Sequence, residues 1–296
     1  MPAVEQRLVS DRLCTLLRVA SIETTARAAS VEEAIAARLP PNASVYITAL
    51  PGDLPEATLA AAKRLFNVGL KAVPHLAARH FRSQGELENL LARLRDDAGV
   101  DELLLVGGDV DRARGPFNSS LELLRTGLLE QAGIRHVGVA AYPEGHPRIS
   151  SSVLDAALAA KIDCLHKAGL STYVITQFCF SAQPILDWLS RFSMRFGRVP
   201  VHVGLTGPAG VSTLLKYGLS CGVGPSLRAL RRNKGLTKLL YEVDPAPVMR
   251  VIAEDKAASG CVTQFHFFTF GGVWRTAEWI HEMAADIALP RSQEQE

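Results

Sequence analysis

Short apolar runs alternate with longer stretches of helical periodicity along nearly the whole chain. The runs at 18–25 (RVASIETT), 44–50 (SVYITAL), 70–76 (LKAVPHL), 102–106 (ELLLV), 137–141 (VGVAA), 171–178 (STYVITQF), 199–205 (VPVHVGL) and 261–268 (CVTQFHFF) have strand length. Most are nearly continuous in Val, Ile, Leu and aromatic residues, the composition of parallel strands covered on both faces. Between them the 3.6-residue period predicts helices at 30–39, 55–68, 83–97, 119–131, 150–167, 182–195, 245–259 and 274–287, with two shorter pieces at 209–217 and 225–234. Ser30 is the expected N-cap of the first of these, with Glu32 and Glu33 in its opening turn. Residues 1–17 read as an amphipathic N-terminal helix and 288–296 as a frayed tail. Eight strand–helix units in strict alternation predict an α/β fold, a (β/α)8 TIM barrel formed as one domain over residues 1–296. The main competitor, a doubly wound sheet, usually carries G-x-G-x-x-G after an early strand, and no such fingerprint occurs.

Composition narrows the function classes. The 296 residues carry a formal net charge of +2, which leaves no electrostatic footprint for nucleic acid or an anionic membrane. No apolar run reaches membrane-spanning length, and the N-terminus interleaves charges with apolar residues where a signal peptide would be continuously apolar. Cys14, Cys164, Cys179, Cys221 and Cys261 are odd in number and widely spaced, which disfavours a disulfide framework and a zinc site. These features lead us to expect a reduced, cytoplasmic protein with a small-molecule substrate, compatible with a homo-oligomer.

Candidate chemistry collects where the strands end. The stretch His136–Arg148 (HVGVAAYPEGHPR) is a buried strand that stops at a turn bearing an aromatic ring, a carboxylate and an imidazole. In a barrel such turns sit at the carboxyl ends of the strands, where functional groups gather. The other strand ends contribute Glu23, Thr48, His75, Asp109, Gln177, Gly204 and the cluster 266–269. His202 alternates with Val201 and Val203 and reads as a core histidine, whereas His266 stays open between core and site. Two carboxylates from different strands, Glu23 and Asp109, allow one to be kept protonated while the other stays charged. No nucleophile-elbow spacing and no compact metal motif occurs, so the residues favour proton transfer or a bound organic cofactor.

The same residues resemble the methylenetetrahydrofolate reductase family. VAAYPEGHP is similar to its A-x-Y-P-E-x-H-P motif, VITQFCF to I-T-Q-F-F-F, and LLVGGDV to L-R-G-D. VPHL, FHFFT and SIETT are similar to its P-H-L, H-F-Y-T and S-F-E segments, all in the family's order across residues 18–285. The resemblance implies that Glu23 is the general acid that protonates a folate nitrogen, a role that calls for a carboxyl whose pKa burial has raised. It implies that Asp109 lies beside flavin and pterin, and that Gln177 bonds the pterin. Thr48, His75, Asp109, Phe117, Ala140, Tyr142, His146, Asp155 and Lys161 fall on positions that line FAD in the family. Glu144 is expected to brace its turn. Three departures stand out. Gly107 replaces an arginine, Phe270-Gly271-Gly272 replaces Leu-Asn-Arg, and Thr24-Thr25 replaces an aromatic pair. Arg275 is the nearest arginine to the replaced one.

The implied activity is flavin-dependent reduction of 5,10-methylenetetrahydrofolate to 5-methyltetrahydrofolate, with FAD as cofactor and NADH or NADPH as donor. This is the chemistry that supplies methionine biosynthesis, and the reverse direction would use the same residues. Two alternatives stay open, a flavin-independent folate reductase on the same barrel and a non-catalytic folate- or flavin-binding partner subunit.

Overall fold

The computed structural model describes residues 3–28, 31–197, 199–221, 223 and 242–288. Eight strands, β1 (Ser21–Thr25), β2 (Ser44–Thr48), β3 (Lys71–Ala77), β4 (Glu102–Val106), β5 (His136–Ala141), β6 (Ser171–Thr176), β7 (Val201–Thr206) and β8 (Val262–Phe268), close into a parallel barrel. Each strand pairs with its neighbours in sequence, and β1 closes the ring on β8 with Ser21 opposite His266 and Ile22 opposite Phe267. The expected (β/α)8 architecture is therefore present, with all eight strands where the apolar runs lie.

The period-2 alternation of each strand divides its side chains between two cores. Ile22, Val45, Ile47, Val137, Val139 and Val203 belong to the large core between barrel and helices, while Tyr46, Val73, Leu104, Tyr173 and Ile175 form a separate cluster in the lumen. The lumen is polar as well as aromatic. The Tyr46 and Tyr173 hydroxyls lie 2.8 Å apart, Tyr46 Oη lies 3.4 Å from Glu102 Oε1, and Glu102 Oε2 pairs with Lys71 Nζ at 2.7 Å. Lys71 and Glu102 are the first residues of β3 and β4, so this ion pair floors the barrel at its amino end. His202 lies against Tyr173 with ring centroids 4.3 Å apart and stacked, in keeping with its reading as a core histidine. The Tyr173 ring fits only because Gly138 on β5 has no side chain, since an added Cβ would come within 2.6 Å of that ring.

Helices cover the barrel as the periodicity predicts, with corrections at their ends and breaks. The N-terminal helix Ala3–Arg18 is fastened by Arg12, which donates to the carbonyls of Ala253 and Asp255 at 2.9 and 3.1 Å. Its closing turn delays β1 to Ser21, three residues later than the apolar run suggested. The helix expected over 119–131 is two, Ser120–Leu124 and Leu128–Gln131. Thr126 divides them, donating to the Leu123 carbonyl and accepting from the Leu128 amide. The helix expected over 245–259 is also two, Ala246–Glu254 and Lys256–Cys261, because extended Asp255 caps the second through the Ala258 amide at 2.7 Å. Ala209 and Gly210 pair with Glu242 and Val243 in a short antiparallel ribbon ahead of helix Val211–Cys221. The expected cap Ser30, the helical piece at 225–234 and the tail beyond 288 lie outside the described residues.

Candidate functional site

At the β1–β8 seam the barrel builds a carboxylate–imidazole centre. Ser21 and Glu23 are two residues apart on β1 and so share a face, with the His266 ring between them. His266 Nε2 lies 3.2 Å from Glu23 Oε1, and His266 Nδ1 lies 2.9 Å from Ser21 Oγ. His75 on β3 brings its Nε2 to 3.5 Å from the same Oε1, while Thr48 on β2 donates its hydroxyl to Glu23 Oε2 at 3.3 Å. Thr269, just past β8, donates to the Glu23 backbone carbonyl at 2.9 Å. Glu23 is only 9% exposed and His266 wholly buried.

The electrostatics of Glu23 differ from the sequence expectation. Burial pushes its pKa up, but the hydrogen bond to His266, the His75 and His266 imidazoles and the Thr48 hydroxyl together bring it below the ordinary carboxylate value. Burial holds His75 down at about 4 despite the neighbouring carboxylate, so His75 is neutral near neutral pH. The stabilisation of the Glu23 carboxylate then rests on the hydrogen bonds from His266 and Thr48 more than on His75 charge.

A second feature opens beside β5. A cavity of about 570 Å3 is walled by the end of β5 and its turn (Ala140 to Gly145), by helix Ser151–Lys167 and by helix Ala182–Phe196. Ala140, Tyr142, Asp155 and Lys161, four residues assigned to FAD by resemblance, line it together. Burial lowers the Lys161 pKa to about 8, and among the described residues no carboxylate forms an ion pair with it. A half-buried cation facing open volume suits a phosphate or other anion. Asp187, Trp188 and Arg191 from the helix after β6 also line the cavity. Sequence reading missed them because they stand mid-helix, away from any strand end. His146 packs edge-on against Tyr142 with centroids 5.4 Å apart, and its Nδ1 accepts from the Arg148 amide at 3.2 Å. Glu144 lines the cavity as well, so it is part of the wall.

The remaining candidates are spread along the rim. Asp109, on the loop after β4, has a side chain 65% exposed with His80 Nε2 3.7 Å away. It joins neither Glu23 nor the cavity lining. Phe117 is 4% exposed and belongs to the outer core. Gln177 follows β6 directly, its backbone N–H donating to the Ala141 carbonyl at 2.7 Å. Next to it Phe178 meets Phe268 and Phe270 edge-on at 5.3 and 4.9 Å, and Tyr217 stacks on Phe270 at 4.3 Å. Phe270 of this aromatic wall, with Gly271 and Gly272 after it, stands where the resemblance has Leu-Asn-Arg. Gly271 lies so close under the Pro208 carbonyl that a Cβ would collide with it, and Gly272 takes φ 112°, a conformation that side chains resist. Arg275 sits exposed at the start of the closing helix Val273–Ala288.

The chain is similar to one solved structure and to one protein family. Among solved structures, the chain is similar to the crystal structure of 3-dehydroquinate dehydratase from Geobacillus kaustophilus HTA426, with 13% identity, 90% of each chain covered and a TM-score of 0.44. Residues 35–224, more than half of the chain, match the family described as methylenetetrahydrofolate reductase. The matched span includes Thr48, His75, Asp109, the whole wall of the large cavity and Gln177, while Glu23 and His266 fall outside it. The chain therefore belongs to the methylenetetrahydrofolate reductase family and is an oxidoreductase of that type.

Proposed function

We propose that the protein reduces 5,10-methylenetetrahydrofolate to 5-methyltetrahydrofolate, drawing electrons from NADH or NADPH through FAD, in the cytoplasm. The observation that carries this reading is a buried carboxylate at the mouth of the same barrel that holds a cation-lined cavity. The residues present fit the cofactor. Lys161 offers an uncompensated positive charge suited to a pyrophosphate, and Tyr142, Ala140 and Asp155 share its cavity. His75 and Thr48 stand two and three strands round the ring from β5, toward Glu23. An elongated dinucleotide is the kind of ligand that would touch positions spread from β2 to β5.

When bound, FAD supplies the two-electron chemistry that links the nicotinamide donor to the folate acceptor. The chain's own residues do the rest. Glu23 delivers a proton to the folate nitrogen whose protonation opens the methylene bridge, and its burial keeps water from competing. Asp109 contributes negative charge at the flavin–pterin contact, and the Gln177 amide orients the pterin by hydrogen bonding. Cys14, Cys164 and Cys179 carry free thiols that are partly or fully buried, in keeping with a reducing compartment.

The visible spectrum of the purified protein tests this reading. A flavin band that bleaches with anaerobic NAD(P)H and returns on adding methylenetetrahydrofolate is the expected result. Gly107 favours one second reading, a flavin-independent reductase, because the replaced arginine is a flavin contact in the family resemblance. Colourless protein that reduces the folate directly from NAD(P)H, with no response to added FAD, would establish that alternative and overturn the first.

A further inference from the structure

On the β2–β3 side of the mouth, away from the Lys161 cavity, lies a second and much smaller pocket. It measures about 50 Å3 and is lined by Asp53 after β2, by His75 on β3, by His80, Arg82 and Glu86 beyond β3, and by Arg114 from the loop after β4. We propose that this pocket holds the 2′-phosphate of NADPH, which makes NADPH the preferred donor. The proposal rests on the reading above that a nicotinamide dinucleotide supplies the electrons.

The positive charge here has no counter-ion. Arg82 and Arg114 come from separate segments, yet they line one pocket, and among the described residues neither guanidinium makes an ion pair or a hydrogen bond. The two carboxylates of the lining are engaged elsewhere. Asp53 Oδ1 pairs with Arg27 Nε at 2.8 Å, and its Oδ2 accepts from the Leu50 backbone N–H at 3.1 Å. Glu86 Oε2 accepts from the Arg82 backbone N–H at 2.6 Å. His80 adds an imidazole whose buried Nε2 lies 3.7 Å from Asp109 Oδ1, beyond hydrogen-bond reach. Two like charges gathered at one pocket repel each other, and a bound anion would turn that cost into attraction.

Backbone contacts hold the two arginine-bearing segments together. Arg79 donates from Nε to the Asn118 carbonyl at 2.9 Å and from Nη1 to the Val110 carbonyl at 3.3 Å, which fastens the loop after β4 near each end. The Arg114 N–H donates in turn to the Arg79 carbonyl at 2.9 Å. Gly115 lies so close to Arg82 that an added Cβ would collide with the Arg82 carbonyl. A loop pinned at these points keeps Arg114 beside Arg82 before any ligand arrives, so binding has less backbone to order.

Size and charge select the ligand. A volume of about 50 Å3 is less than twice the ~30 Å3 share of one water molecule in the liquid, too small for a nucleobase, a nicotinamide or a pterin. It suits a single phosphate group, whose oxygens accept from donors on several sides. In the reading above the FAD pyrophosphate goes to Lys161, in a cavity that shares no lining residue with this pocket. Of the other ligands only NADPH carries a phosphate monoester, since NADH has a ribose hydroxyl there and the folate carries carboxylates. His75 belongs both to this pocket and to the Glu23 centre, its Nε2 3.5 Å from Oε1, so the site adjoins the chemistry it would serve.

Calorimetry on the intact protein tests the proposal by comparing 2′-phospho-ADP-ribose with ADP-ribose, neither of which can transfer a hydride. The phosphorylated compound is expected to bind about tenfold tighter, with a difference that shrinks as salt is raised. Replacing both cations, Arg82→Gln with Arg114→Gln, should abolish that difference and leave ADP-ribose affinity unchanged. Both side chains are exposed, so the double variant keeps its core. Donor kinetics give a second readout, in which the KM for NADPH rises about tenfold in the double variant while that for NADH holds. Equal affinity for the two compounds in the unsubstituted protein would overturn the proposal, and so would an equal loss of both in the double variant. A loss confined to folate binding would give the pocket to the folate carboxylates and overturn it as well. Selective binding of the phosphorylated compound by a protein that no nicotinamide cofactor reduces would instead overturn the assigned donor and leave the phosphate site standing.

Discussion

The two sides of the barrel mouth treat charge in opposite ways. At the β1–β8 seam the charge is answered from within, since Glu23 is held by His266, Thr48 and His75 and its backbone by Thr269. Beside β5 a cation lines open volume, and the cost of burying Lys161 shows in its lowered pKa. A centre that moves a proton must be complete before substrate arrives, because its atoms have to be in register. A centre that captures a ligand gains by leaving one charge for the ligand to answer. The contrast separates a chemical centre from a binding one without reference to either ligand.

The sharpest way to break the contrast is Glu23→Gln. Folate reduction is expected to fall about a hundredfold or more, as for loss of a general acid, while NAD(P)H oxidation falls far less. Stopped-flow measurement of the two half-reactions checks it, and equal losses would show that Glu23 is not the acid. The next effect in size concerns stability on the same side. His75 and His202 have folded-state pKa values below the ordinary 6.5, so the unfolded chain takes up protons first as pH falls. Their stabilisation is full above pH 6.5 and is lost as pH drops toward about 4, at roughly 2 kcal/mol each between pH 7 and pH 5. Urea unfolding at the two pH values measures it. His202→Phe, which can keep the stack on Tyr173, should flatten the dependence.

The cavity side yields smaller, ligand-dependent effects. Lys161→Met should weaken FAD about tenfold, the scale of one charge-assisted contact. In the unsubstituted protein, affinity should decline as pH rises through about 8, where Lys161 loses its charge. Lys161→Arg should abolish that decline, and flavin fluorescence titration follows both. Arg191→Gln is expected to cost only about twofold, since an exposed charge is screened by solvent. An Arg191 effect larger than that of Lys161 would relocate the anion toward the outer helix.

Most of the architecture was legible because strands covered on both faces need apolar side chains at nearly every position. Helix breaks at Thr126 and Asp255 were not, since each depends on the hydrogen bonds of one side chain within an otherwise helical pattern. Glu23 was identified from its strand end, but the sign of its pKa shift was not readable, because His266 lies 243 residues away in sequence. Ser21 looked like an ordinary strand residue and His266 stayed open between core and site, and only the β1–β8 register brings them together. Asp109 shows the reverse case. Its resemblance is clear, yet its side chain is 65% exposed and its one ion-pair partner among the described residues is His80. Phe117, assigned to the flavin by the same resemblance, is turned into the outer core.

The space left by Gly138 gives β5 and β6 a shared history. The Tyr173 ring fills the room that a Cβ would need, and its hydroxyl ties to Tyr46 across the lumen. An alanine introduced at 138 while Tyr173 remains is expected to misfold the barrel, although alanine suits strands elsewhere in it. The reverse order, Tyr173 to a smaller residue first and Gly138 to alanine second, passes through a tolerable intermediate with a cavity. The two positions are thus epistatic, and accessible substitutions run one way. A graft of the YPEGHP loop with its strand into another barrel would have to carry the tyrosine of the next strand along with it.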